Sequence, residues 1–128
     1  MRIVAILIVG AAALLPDPAA ADVRAAVARA TSGDVDARAE VGCAQEVGEV
    51  LGTCKAAVAR DERSAAVVVT FTNGFARVLM FDDGDFLRGN ATMSGVGTDT
   101  EWRLSDGVYH VRVDDQRFEL PEELVTGN

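Results

Sequence analysis

Three short glycine turns constrain this chain more than any other feature. Asn73-Gly74, Asp83-Gly84 and Asp106-Gly107 each lie between runs rich in β-branched and aromatic residues. Asn-Gly and Asp-Gly suit the positive φ angles of two-residue type I′ hairpins. A two-residue loop dictates which residues face each other. Each turn therefore predicts a register that the sorting of side chains can check.

Around Asp106-Gly107 the sorting is clean. Pairing outward sets Leu104 against Tyr109 and Trp102 against Val111 on one face, and Arg103 against His110 and Glu101 against Arg112 on the other. The first face is apolar, and the second carries an opposite-charge pair. Trp102 and Tyr109 are thus expected inside, with Arg103 and His110 outside. Around Asn73-Gly74, a two-residue loop sets Val69 against Val78 and Val67 against Met80. Thr70 and Arg77, and Val68 and Leu79, then pair on the opposite face. Both faces are largely apolar, which predicts the centre of a sheet. Around Asp83-Gly84, Phe81 faces Phe86 and Met80 faces Leu87. The runs chain into a meander: Ala65–Thr72, Phe75–Phe81, Asp85–Asn90, Asp99–Ser105 and Val108–Asp114. A last strand, "QRFEL", ends at Pro121, which cannot donate to a ladder.

The two cysteines fit the same scheme. Cys43 and Cys54 are separated by ten residues. A continuous helix would hold them about 16 Å apart, too far to bridge. A hairpin folding back near Gly48 brings them opposite, with strands near Val41–Gln45 and Cys54–Arg60. A metal pair usually sits closer, as C-x2-C with further ligands, and none is evident here.

The chain opens "MRIVAILIVGAAALLPDPAAADV". Arg2 precedes an uncharged apolar run from Ile3 to Leu15, and Pro16 and Pro18 end any helix there. The pattern reads as a secretory signal peptide over residues 1–21. Cleavage after Ala21 puts Ala19 at the −3 position, where neighbouring bonds would put Pro18 or Asp17. The run is shorter than the roughly 20 residues a membrane span needs, so no span is expected in the mature chain. Export to the periplasm or outside the cell makes Cys43–Cys54 a predicted disulfide. Residues 22–40, Ala-rich and charged, read as a leader that is mobile or forms a short helix capped by Asp22, with little core of its own. Residues 41–128 form the β domain. The expected fold is mainly β: a single antiparallel meander or small barrel of seven to eight strands. An open sheet with the leader helix packed on one face is the alternative.

Removing residues 1–21 leaves 107, enough for one domain, and the net charge stays at −8. Such a chain repels a phosphate backbone, so no nucleic-acid partner is expected. A partner drawn by overall charge would be basic.

Little catalytic equipment is visible. His110 is the only histidine, and the predicted pairing sets it beside Arg103 with no carboxylate directly opposite. Ser94 lacks the leading glycine of the G-x-S-x-G elbow. Asp82, Asp83 and Asp85 crowd one turn, yet no bidentate Glu follows at calcium-loop spacing. "SGVG" has no following Lys and opens no helix. No catalytic residue, metal or cofactor is therefore assigned. The remaining candidate is a binding loop, "TMSGVGTDTEWRL", in which Ser94, Gly95, Gly97 and Thr98 are flexible or small and Trp102 supplies an apolar lip.

From Cys43 onward the chain resembles a group of small exported bacterial β proteins of uncharacterised function. The shared features are the Cys pair, Val58-Ala59-Arg60 after the second Cys, a valine-rich strand, and a Gly turn with an Arg after it (Gly74, Arg77). Phe81-x-x-Gly84 and the ending "RFELPE" (Arg117 to Glu122) complete the likeness. The resemblance implies an exported β domain and no activity. A fainter likeness is to periplasmic inhibitors of c-type lysozyme, small β-barrels with a Ser-Gly-x-x-Tyr loop. Here Ser94-Gly95 lacks the aromatic residue. The expectation is an exported cell-envelope module that binds a protein or small molecule without catalysis. The alternative is an enzyme inhibitor or hydrolase using the Ser94–Thr98 loop.

Overall fold

A computed structural model describes residues 17–90 and 98–128. Helix α1 (Pro18–Ser32) is followed by strands β1 (Ala37–Ala44), β2 (Gly52–Asp61), β3 (Ser64–Thr70), β4 (Ala76–Asp82) and β5 (Asp85–Gly89). Strands β6 (Thr100–Ser105), β7 (Val108–Val113) and β8 (Gln116–Pro121) and the short helix α2 (Glu122–Thr126) complete the chain. All eight strands lie in one antiparallel, nearly closed sheet, ordered β5-β4-β3-β2-β1-β8-β7-β6. The first strand pairs with the last, Cys43 against Phe118, and this joins two meanders. It also leaves β5 and β6, neighbours in sequence, as the two unpaired edges.

The Asp106-Gly107 register is the expected one at all six positions, from Ser105–Val108 to Thr100–Val113. Asp106 and Gly107 both have positive φ, at 54° and 77°. The Asn73-Gly74 register differs by one residue: Val69 pairs with Arg77, Val68 with Val78 and Val67 with Leu79. The reason is the loop. Gly74 N–H donates to Phe71 O (2.9 Å), Phe71 N–H donates to Phe75 O (2.8 Å), and Gly74 has a φ of 90°. These bonds enclose three residues, a tight turn followed by a left-handed glycine. At Asp83-Gly84 Phe81 meets Phe86 as expected, but a bulge then sets Met80 against Arg88 rather than Leu87.

The corrected register sorts the centre of the sheet. Val67, Val69, Leu79 and Phe81 point into the barrel with Tyr109, Val111, Val113, Phe118 and Leu120. Ala66, Val78 and Met80 point outward and, with Ala59, receive Val23, Ala26 and Ala30 of α1. The leader therefore takes the helical one of its two expected forms, and it builds a second small core where little core of its own was expected. Small residues on both sides let the helix lie close to the sheet. Pro18 starts this helix instead of ending one, at the first helical positions with Asp17 as its cap. The expected signal segment lies outside the described residues as far as residue 16. The expected cleavage bond, Ala21–Asp22, falls early in α1, and every buried residue of the helix lies beyond it. Strand β1 starts at Ala37, four residues before the expected domain boundary.

Candidate functional site

The disulfide forms, with Cα atoms 5.9 Å apart. Its cysteines sit diagonally rather than opposite: Cys43 pairs with Gly52, and Cys54 with Val41. Gly48 turns the hairpin tip, with a φ of 78°. Within that tip, Gln45 N–H and Glu46 N–H both donate to Glu49 Oε1, at 2.8 and 3.0 Å. The Arg117 guanidinium of β8 donates to the Glu49 carbonyl. The disulfide hairpin is thereby tied to the outer face of β8.

Leu51 lines an open cleft of about 430 Å³ on β6, β7 and β8, whose polar lining among the described residues is Glu101, Arg103, His110, Arg112, Arg117 and Glu119. Register places these side chains. Across the three strands, Arg103 pairs with His110, which pairs with Glu119; one step along, Glu101 pairs with Arg112, which pairs with Arg117. His110 Nδ1 lies 3.3 Å from Glu119 Oε2. A carboxylate thus stands opposite the histidine after all, supplied by β8 rather than β6. Gly42 leaves it room, because a Cβ there would meet Glu119 Cβ at 3.4 Å.

The arginines of the cleft are not equivalent. Arg112 is fully engaged by Glu101 (3.1 Å), Asp99 (3.2 Å) and the Asp114 carbonyl (2.8 Å). The Glu101 bond is the main reason its guanidinium holds its proton above the ordinary range. Arg117 spends one N–H group on a neutral carbonyl and forms no ion pair among the described residues. Arg103 is exposed at the mouth and forms no ion pair among the described residues. His110 Nδ1 faces Glu119, so Nε2 is the ring nitrogen turned away from that carboxylate. Among the described residues, no Ser, Thr or Cys lines the cleft. The arrangement suits holding an anionic group between Arg117 and His110, with Arg103 at the rim.

Of the predicted binding loop, Ser94, Gly95 and Gly97 lie outside the described residues. Thr98 is partly buried just before β6. Trp102 points to the apolar face, its ring 6.1 Å from that of Tyr109, yet it is 39% exposed, not in the core as expected. The cause is the strand order. Strand β5 does not pair with β6, and it touches β6 and β7 alike: Tyr109 Oη donates to Gly84 O in the turn before β5 at 2.6 Å, and a Cβ at Gly89 would meet Val113 Cγ1 at 3.1 Å. Strand β6 overhangs, and Trp102 and Leu104 remain uncovered.

Two of the three crowded aspartates have structural partners. Ser64 Oγ donates to Asp82 at 2.7 Å, and Asp83 lies 3.9 Å from Arg63. Among the described residues, no group of three or more His, Cys, Asp or Glu is arranged to hold a metal ion, and no helix is long and apolar enough to cross a membrane. The chain matches no protein-family model, no curated protein and no solved structure.

Proposed function

We propose that this protein is an exported, non-catalytic binding module of the cell envelope that holds a small anionic group in the cleft on β6, β7 and β8. One observation carries the reading: Arg117, the His110–Glu119 pair and Leu51 line one cleft, in a chain whose net charge is −8. The overall charge repels anions at long range, so selectivity for one rests on local geometry at the cleft. The apolar N-terminus with its Ala19/Ala21 pair and the disulfide support export. The mature protein then begins at Asp22, and the intact mass of exported protein checks this.

The binding reading is tested by nuclear magnetic resonance titration with acetate, succinate and inorganic phosphate. Saturable shifts of the Arg117, His110 and Leu51 amides are expected for at least one of them, and Arg117→Ala should abolish them. Shifts that do not saturate, or that survive in Arg117→Ala, sink the reading.

The exposure of Trp102 favours a second reading, in which Trp102 and the Ser94–Thr98 segment contact a protein partner as an enzyme inhibitor would. Inhibition of a c-type lysozyme that is lost in Trp102→Ala and retained in Arg117→Ala would select it.

A further inference from the structure

Among the described residues, strand β6 has no hydrogen-bonded neighbour on one backbone edge, and its sequence is complementary to itself. From this we infer that two copies of the chain pair antiparallel along β6, with a two-fold axis at Trp102. The inference does not rest on the cleft reading, although Glu101 and Arg103 also line that cleft.

The hydrogen-bond phase follows from the turn. Asp106-Gly107 is a two-residue loop, so Ser105 and Val108 form the hydrogen-bonded closing pair. Bonded and non-bonded pairs alternate from there. The N–H and C=O groups of Arg103 and Glu101 therefore point to β7, and those of Thr100, Trp102 and Leu104 point to the open edge. An incoming strand must align its own outward groups with these three. A second β6 does so in the register that sets Trp102 against the partner's Trp102, and Thr100 against the partner's Leu104.

Charge selects that register over its neighbours. With Trp102 on the axis, Glu101 faces the partner's Arg103, and Arg103 faces the partner's Glu101, on the outer face. Sliding by two residues one way sets Glu101 against the partner's Glu101. Sliding the other way sets Arg103 against the partner's Arg103. Like charges directly opposite destabilise a strand pair, and opposite charges stabilise it. On the other face, Trp102 and Leu104, 39% and 41% exposed in the single chain, gain cover. The contact is isologous, so it closes at two copies and does not propagate. It also satisfies an edge that the nearly closed sheet leaves open.

The test is a charge-reversal exchange on the mature protein, read by sedimentation velocity over a range of concentrations. The wild-type protein is expected to form a dimer, with a concentration-dependent blue shift of Trp102 emission. Glu101→Arg and Arg103→Glu each create two like-charge pairs and should weaken self-association by about tenfold or more. Mixed together, these two variants restore both opposite-charge pairs and should form a heterodimer. Circular dichroism of each variant checks that the fold is kept. Arg117→Ala should dimerise like wild type. A wild-type protein that stays monomeric, a dimer that persists undiminished in both single variants, or a mixture that associates no better than its components would each overturn the inference.

Discussion

The β3–β4 and β6–β7 hairpins are similar in length and both turn at a glycine, yet they live in different surroundings. Strands β3 and β4 are covered twice, by the barrel interior on one side and by α1 on the other. Strand β6 has a single neighbour, and each of its residues from Glu101 to Ser105 is exposed. The difference teaches where stability and contact surface reside in a sheet that does not quite close. Residues with neighbours on both edges hold the fold together. Residues on the overhanging edge are free to meet something else.

The largest expected effect tests the buried side. Phe81 is 1% exposed and packs against Phe86 and Tyr109, with ring centroids 5.5 and 5.0 Å away. Phe81→Ala should cost about 3–5 kcal/mol, measured by denaturant unfolding. A loss below about 1 kcal/mol would mean that the interior is not packed as described. Next is the junction between the two meanders. Opening the bridge in the double variant Cys43→Ala/Cys54→Ala should cost about 2–3 kcal/mol through loop closure. Because the bridged hairpin carries Leu51 and Glu49, amide shifts should concentrate at Arg117 and its neighbours and spare β3 and β4. Shifts spread evenly over the sheet would deny the hairpin its role as the cleft wall.

Trp102→Ala sharpens the comparison from the exposed side. Partial exposure reduces the expected cost to about 1–2 kcal/mol in dilute solution, below that of Phe81→Ala. His110→Ala should stay within about 0.5 kcal/mol, as surface changes usually do. A Trp102→Ala loss equal to that of Phe81→Ala would place β6 inside a closed barrel and remove the free edge.

The same contrast explains which features the sequence disclosed. The β6–β7 register was legible because one face is charged and the other apolar, so a slip would have mixed them. Strands β3 and β4 are apolar on both faces, and patterning could not tell a two-residue loop from a three-residue one. The helix that covers the outer face was read as a leader, either mobile or a short helix, with little core of its own. Glu119 was missed because only the β6 side of β7 was paired. Asp114-Asp115 was the available signal: Asp114 has a φ of 53°, and Val113 pairs with Gln116 across it. Extending outward from that turn reaches His110–Glu119. The β1–β8 pairing had no local signal, since no turn connects strands so far apart in sequence. Trp102's face followed from its register, whereas its burial depended on that distant closure.

The smallest effect, absent at neutral pH, concerns the residue that joins the two regions. Tyr109 is the only tyrosine. It stands on β7 with its ring between Phe81 and Trp102, and its hydroxyl reaches across to Gly84 O. Burial raises its pKa above the ordinary value of about 10, and the negative charges of Glu122 and Asp85 push the same way. The raised value fixes the sign of the pH dependence. Below about pH 10 the phenol is neutral in both folded and unfolded chains, and its contribution is fully present. Above that, the unfolded chain releases the proton while the folded chain keeps it. Stability therefore falls as pH rises toward the folded pKa. Ultraviolet titration should find phenolate appearing at higher pH in the native protein than in denaturant. Trp102→Ala uncovers one side of the ring and should narrow that gap without closing it, because Phe81 and Gly84 still cover the other. A native titration that coincides with the denatured one would mean that β5 does not lie against β7. The overhang of β6, and with it the contrast between the two hairpins, would then have to be abandoned.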